Sequence, residues 1–348
     1  MENVVNIRSF GARLRVKDGL FEVTVPDLTG AGNDRVEQFA PQQVQTILLH
    51  PKTSASSDAL LLAQQHQVDV FILDQHDFPQ IYLAGLSPPV SVRIWNNQLA
   101  LHGTLKGLDI ARNWLCQKLL RKIEWLNKLK SYRSGPSLEL IGKAADALKD
   151  IFTRISSFKL TKADEHAASL RGMEGSANRI YLDALNQLLP EHLRFDGRSR
   201  QPAEDIFNAL LNYGYGILYR WTEKELWEAG LNPYIGFMHN TDRNQKSLVF
   251  DFIEPFRPWI DRTAFNLCAR KEVGRQHVRE LSGGGVWLNE EGKKILAAAV
   301  YTRFNEKKVA LHGRKWTLRQ SIGVEARHLA AGLRGAEMPD AEQMARVA

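Results

Sequence analysis

Cysteine is nearly absent: Cys116 and Cys268 are the only two in 348 residues, and they stand far apart. That excludes a disulfide framework or a cysteine-built zinc site, and it fits a reducing compartment. Long hydrophobic runs are missing as well. The longest purely aliphatic stretch, ILAAAV at 295–300, is far short of a membrane span. The opening MENVVNIRSF has no basic n-region or hydrophobic h-region, so no secretory signal is read there. A cytoplasmic location with no membrane partner is the expectation. The common catalytic signatures fail too, with no Walker loop, dinucleotide glycine fingerprint, HExxH or nucleophile-elbow serine. GGG at 283–285 lacks the Lys-Ser/Thr of a phosphate cradle and reads as a flexible break between helices. Most of the ten histidines, His50 and His102 among them, have no ligand-like company and read as surface or capping residues.

The chain is long enough for two domains, and its hydrophobic (44%) and charged (24%) fractions are those of a folded soluble protein. The net charge of +7 is unevenly placed. Residues 1–100 carry 7 Lys+Arg against 10 Asp+Glu, whereas 101–348 carry 39 against 29. The excess concentrates at 101–160 (12 basic, 5 acidic) and 301–335 (8 basic, 2 acidic). A basic region confined to one part of the chain points to a polyanion, with nucleic acid first, or else to a solvated surface.

The order of patterns predicts an α+β protein. Short branched-residue runs at 4–7, 12–17, 20–25, 44–49 and 68–73 read as strands, and Asp18-Gly19 is a hairpin turn. One helix is expected at 56–67 behind a Ser or Asp N-cap. Residues 1–86 should form a small β-sheet domain and 87–99 a linker, because Pro88 and Pro89 continue neither a central strand nor a helix. From 100 to 335 the period is helical, which predicts a larger all-α domain, and 336–348 reads as a loose tail. Leu108, Trp114, Leu115, Leu119, Ile123, Leu126 and Leu129 make one apolar stripe, with Lys118, Arg121, Lys122, Lys128 and Lys130 expected largely around it.

Two acids stand out. Asp251 and Glu254 lie three apart in the apolar run SLVFDFIEPF, so on a helix they share a face and are at least partly buried. A buried carboxylate costs several kcal/mol unless a cation or hydrogen-bond network offsets it. Two offsets are open from the pattern. One is a structural ion network with Arg179, Arg257 or Arg262. The other is a divalent metal held by carboxylates of separate helices with His239 as nitrogen ligand, a donor set suited to Mg²⁺ or Mn²⁺. Glu174 sits between Gly172 and Gly175, which suggests that something approaches this backbone closely.

MEGSANRIY (173–181), FNALLNYGYGIL (207–218), AGLNPYIGFMH (229–239) and SLVFDFIEPFRPWID (247–261) occur in that order. With GRSRQPAEDIFNALL (197–211), GGGVWLNEEGKKIL (283–296) and the sheet-domain segments 9–16 and 56–73, the chain resembles the CRISPR adaptation integrase/endonuclease family, the first-numbered CRISPR-associated protein. The resemblance covers about residues 4 to 335. It implies an N-terminal β domain that dimerises and a helical catalytic domain. Its metal ligands fall on Glu174, His239 and Glu254, with Asp251 as a supporting acid beside the metal. Tyr181, Asn208, Tyr213, Asn232 and Arg257 match recurring family residues, as DNA contacts or as packing and supporting hydrogen bonds. The implied reaction is Mg²⁺- or Mn²⁺-dependent insertion of a short double-stranded DNA fragment at a CRISPR repeat, by attack of a 3′-hydroxyl on a phosphodiester. The implied partners are DNA, a second copy of the chain and a small ferredoxin-like companion subunit. A casposase-like transposase, a branched-DNA repair nuclease and a non-catalytic DNA-binding scaffold are the alternatives.

Overall fold

Asp18 and Gly19 both adopt the left-handed backbone region (φ 52° and 74°), closing the tight hairpin that the dipeptide predicts. Around it, a computed structural model describes residues 4–27, 33–44, 46–66, 68–75, 79–83, 92–239 and 245–334. The first part of the expected linker and the expected loose tail (336–348) lie outside those residues. The chain divides into two compact units, Met1–Pro89 and Val90–Ala348.

The first unit holds strands β1 (Val4–Ile7), β2 (Arg13–Lys17), β3 (Leu20–Val25), β4 (Arg35–Phe39), β5 (Thr46–Leu49) and β6 (Ser54–Ala55). Helix α1 (Ser57–Gln65) and strands β7 (Asp69–Leu73) and β8 (Pro79–Leu83) complete it. Two four-stranded sheets run in the orders β1-β5-β7-β8 and β4-β3-β2-β6. Ser56 caps α1 by accepting from the Ala59 N–H at 3.3 Å. Ile7, Leu14, Phe21, Ile47, Ala59 and Val70 bury one core. His50, expected as a surface or capping residue, is buried and shares a 2.7 Å hydrogen bond with Asn6.

The second unit begins with α2 (Val92–Leu101), inside the expected linker: Pro88 and Pro89 both precede it, so the helix forfeits no N–H. Long helices follow: α3 (Leu105–Lys130), α4 (Gly135–Ser156), α5 (Ala163–Leu188) and α6 (Ile206–Glu228). Then come α7 (Ser247–Phe252), α8 (Arg257–Ala269), β9 (Val278–Glu280), β10 (Val286–Leu288), α9 (Glu290–Glu306), β11 (Lys308–Leu311), β12 (Arg314–Thr317) and α10 (Leu318–Leu333). Side-chain oxygens cap α3 (Thr104), α6 (Asp205), α9 (Asn289) and α10 (Thr317). The unit is dominated by helices but is not all-α, because β9-β10 and β11-β12 are antiparallel pairs. The GGG stretch closes the first of these rather than parting two helices; Gly284 and Gly285 take φ of 86° and 89° there. Among the described residues no helix is long and apolar enough to cross a membrane.

Candidate functional site: two carboxylates on one cation

His239 is positioned from the loop outward. Helix α2 pins the 230–236 segment, with Trp95 Nε1 donating to Gly230 O (3.0 Å) and Gln98 Nε2 donating to Asn232 O (2.8 Å) and Ile235 O (2.9 Å). Gly236 then passes so close to α7 that a Cβ would lie 2.7 Å from the Ser247 backbone and 2.8 Å from Asp251 Oδ2. That approach brings the following N–H groups onto Asp251, whose Oδ2 accepts from Phe237 (2.7 Å) and Met238 (2.9 Å). Asp251 Oδ1 accepts from His239 N (3.3 Å) and from its Nδ1. Asp251 is 1% exposed, so its carboxylate is spent on orienting this loop and this ring. A proton fixed on Nδ1 leaves Nε2 as the imidazole's lone-pair nitrogen.

Glu174 and Glu254 arrive from separate elements. Glu174 lies in the middle of α5, and Gly172 and Gly175 beside it are exposed, with open space where a Cβ would be. Asp251 and Glu254 do not share one helix: α7 ends at Phe252, and Glu254 opens a short 3₁₀ turn (Glu254–Phe256) containing Pro255. Proline supplies no N–H and disfavours helical backbone in the residue before it, so the run breaks there. The two acids consequently serve different partners.

The partner of both glutamates is Lys118 of α3, 3% exposed, whose ammonium donates to Glu174 Oε1 and Glu254 Oε2. The other Glu254 oxygen accepts from Arg257 Nε at 2.8 Å. Burial pushes the Glu254 pKa up, but Arg257 and Lys118 outweigh it and hold it at about 2. Burial likewise works against the Lys118 charge, and attraction to Glu174 and Glu254 outweighs that, leaving its pKa raised. Arg257 also donates to Tyr219 Oη at 2.6 Å and lies over the Tyr215 ring at 4.8 Å.

These groups line a cavity of about 820 Å³ together with Arg171, Arg198, Arg200 and Asn178. Two helical stripes supply much of its wall: 171, 174, 175 and 178 on α5, and 212, 215, 216 and 219 on α6. Four arginines and a lysine against two glutamates make the space electropositive, suited to a phosphate-bearing ligand. Arg171 also ties α5 to the histidine loop by donating to Met238 O at 2.7 Å.

The remaining residues singled out from the family resemblance are placed differently. Tyr181 is fully buried, with Lys122 Nζ 4.5 Å from its ring centroid. Asn208 is buried and holds Arg198 (2.9 Å) and Gly197 O (2.8 Å), so it positions an arginine of the cavity rather than facing the cavity itself. Asn232 closes its own turn, its Oδ1 accepting from Tyr234 N at 3.0 Å. Tyr213 packs against the core on the flank of α6, while Tyr215 and Tyr219 face the cavity. Arg257 alone of this group lines it. Lys118 and Lys122, expected at the flank of the α3 stripe, are inside it; neither is a surface phosphate grip. Burial pushes the Cys116 thiol to about 11 and Cys268 to about 12, so neither is a nucleophile.

Among the described residues no three His, Cys, Asp or Glu side chains gather as a ready-made metal cage, and Lys118 stands where two acids converge. The donor chemistry nevertheless suits a hard divalent ion. Two carboxylates already share one cation, and a third donor, His239 Nε2, lines the same cavity with its other nitrogen held by a carboxylate.

The family described as CRISPR associated protein Cas1 matches residues 5–302. The chain is 28% identical over 341 residues to a CRISPR-associated endonuclease Cas1 of Archaeoglobus fulgidus, covering 94% of this chain and 96% of that one. Among solved structures it resembles a Cas1 protein from Thermotoga maritima (TM-score 0.72, 21% identity, 98% and 99% of the two chains). It also resembles a casposase bound to an integration product (TM-score 0.64, 20% identity, 95% of each chain). At these identities the structural likenesses show the fold.

Proposed function

The chain belongs to the Cas1 family, and we propose that it is a metal-dependent DNA endonuclease and integrase of CRISPR adaptation, joining short duplex fragments to a CRISPR repeat. One observation carries the reading: carboxylates from two separate elements meet at a single cation position in an arginine-lined cavity, beside a histidine oriented by Asp251.

In that reaction the 3′-hydroxyl oxygen of the fragment forms a bond to a repeat phosphorus. The bond to the leaving 3′-oxygen breaks, and the proton given up by the attacking hydroxyl is matched by the one that the leaving oxygen takes up from solvent. Glu174, Glu254 and His239 Nε2 are the groups that would hold Mg²⁺ or Mn²⁺. Such an ion supplies Lewis-acid stabilisation of the charged phosphate and lowers the pKa of the attacking hydroxyl. Asp251 keeps the His239 proton on Nδ1. Arg257, fixed by Glu254 and Tyr219, and Arg198, fixed by Asn208 and Asn212 (2.6 Å), hold positive charge against the phosphates in a preset geometry. The open face at Gly172 and Gly175 lets a strand lie close to α5 beside Glu174.

His239→Ala and Glu254→Ala are expected to lower the integration rate by on the order of 10²-fold or more in Mg²⁺ or Mn²⁺, with DNA binding retained. Integration by either variant at the wild-type rate contradicts the assignment. The casposase likeness supports a second reading, strand transfer without a CRISPR target. Comparing insertion into a repeat-bearing duplex with insertion into an unrelated duplex separates the two. The same proposal extends to a homodimer built on the N-terminal domain and to a small ferredoxin-like companion subunit. Light scattering on the full chain, alone and mixed with that subunit, tests both.

A further inference from the structure

Lys118 is the one lysine among the five cationic side chains that line this cavity, and the reaction as described has no use for it. Its helix, α3, contributes none of the proposed ligands, yet its ammonium reaches the one point that Glu174 Oε1 and Glu254 Oε2 share. Because the other Glu254 oxygen is taken by Arg257, the Glu254 oxygen on Lys118 is the one left to that carboxylate for a metal, at the point where Glu174 Oε1 also converges. A divalent ion bonded to them and an ammonium hydrogen-bonded to them would be neighbouring like charges in a site 3–6% exposed at Lys118 and Glu254. The two arrangements exclude each other.

From this we infer that Lys118 is a resident counter-ion, which holds Glu174 and Glu254 together in the metal-free protein and must be displaced when a divalent ion binds. The inference rests on Glu174 and Glu254 being the metal ligands. Lys118 has somewhere to go, since it lines the same cavity of about 820 Å³ and its flexible stem can carry the ammonium into that space. A DNA phosphate entering the cavity would meet the displaced charge. Metal and DNA should therefore favour each other's binding through this side chain, and by linkage the coupling is reciprocal.

The test is a Mn²⁺ titration of the metal-free, full-length protein, with free Mn²⁺ read by its electron paramagnetic resonance signal, with and without a duplex fragment. The chains compared are wild type, Lys118→Met, Lys118→Gln and Glu254→Gln. Removing the competitor should tighten Mn²⁺ binding by on the order of 10-fold or more in both Lys118 variants. The tightening that DNA produces in the wild type should shrink in them. If Lys118→Met fails to fold without metal, Lys118→Gln purified in Mn²⁺ and then dialysed gives the same constant from the release side. Unchanged or weaker Mn²⁺ affinity in the Lys118 variants, with Glu254→Gln still losing the ion, overturns the displacement and leaves the metal site standing. Wild-type affinity in Glu254→Gln places the ion elsewhere and overturns both.

Discussion

Lys118 and Lys122 sit one turn apart on α3, both buried, and their surroundings treat the two charges in opposite ways. Around Lys118 two glutamates and Arg257 form an ionic layer, and the ammonium is held charged. Around Lys122 the direct contacts are neutral: its ammonium donates to Asn178 Oδ1 at 2.6 Å and sits over the Tyr181 ring. Burial, followed by repulsion from Lys118, brings the Lys122 pKa down to about 7. Position on the helix decides that both are interior, and only the partners decide which one is a fixed charge.

The comparison breaks most severely when the ionic layer loses an acid. Glu254→Ala leaves Arg257 without its carboxylate and Lys118 with Glu174 alone, and the metal-free protein should lose about 3–5 kcal/mol of stability by urea denaturation at neutral pH. A loss below about 1 kcal/mol, the size of a surface pair, would mean that the layer is solvated in solution. A smaller effect sharpens the other side. The Lys122 pKa is lowered in the folded state from the ordinary 10.5 to about 7, so between those values the folded protein binds fewer protons than the unfolded chain. Stability should rise with pH through that window, by at most about 1.4 kcal/mol per pH unit, and Lys122→Met should abolish that slope. Parallel pH profiles for wild type and Lys122→Met between pH 7 and 10 would show that Lys122 is not the group responsible.

Much of this molecule was legible from residue patterns, and the failures have physical causes. Hairpin chemistry at Asp18-Gly19, the Ser56 cap and the change to a helical period predicted a β unit followed by a helical one, as observed. Strands β4 and β8 escaped notice: β4 is exposed nearly throughout and carries no apolar alternation, and β8 begins on a proline. The acids at 251 and 254 were conspicuous because carboxylates are costly in apolar surroundings, and Glu174 because glycines flank it. Their arrangement was not, since three-residue spacing presumes an unbroken helix and Pro255 ends one.

Lys118 was in plain sight. Residues 111, 115, 118, 122, 126 and 129 follow helical spacing, so the two lysines belong to the buried face of α3. They were assigned to its flank because lone charges are seldom interior, and the acids that make burial tolerable lie 56 and 136 residues away. Tyr215 and Tyr219 were hidden for a simpler reason. Tyr213 shares a motif with Tyr215, Tyr219 lies just past it, and only the packing of α6 on α8, where Gly214 lies against Ile260, shows which face meets the cavity.

The most direct measurement is anomalous diffraction from crystals of the protein grown or soaked in Mn²⁺. The account predicts a peak bonded to Glu174, Glu254 and His239 Nε2, Asp251 still holding Nδ1, and the Lys118 ammonium moved off both carboxylates. A peak elsewhere, or Lys118 still bridging Glu174 and Glu254 beside a bound ion, would contradict it.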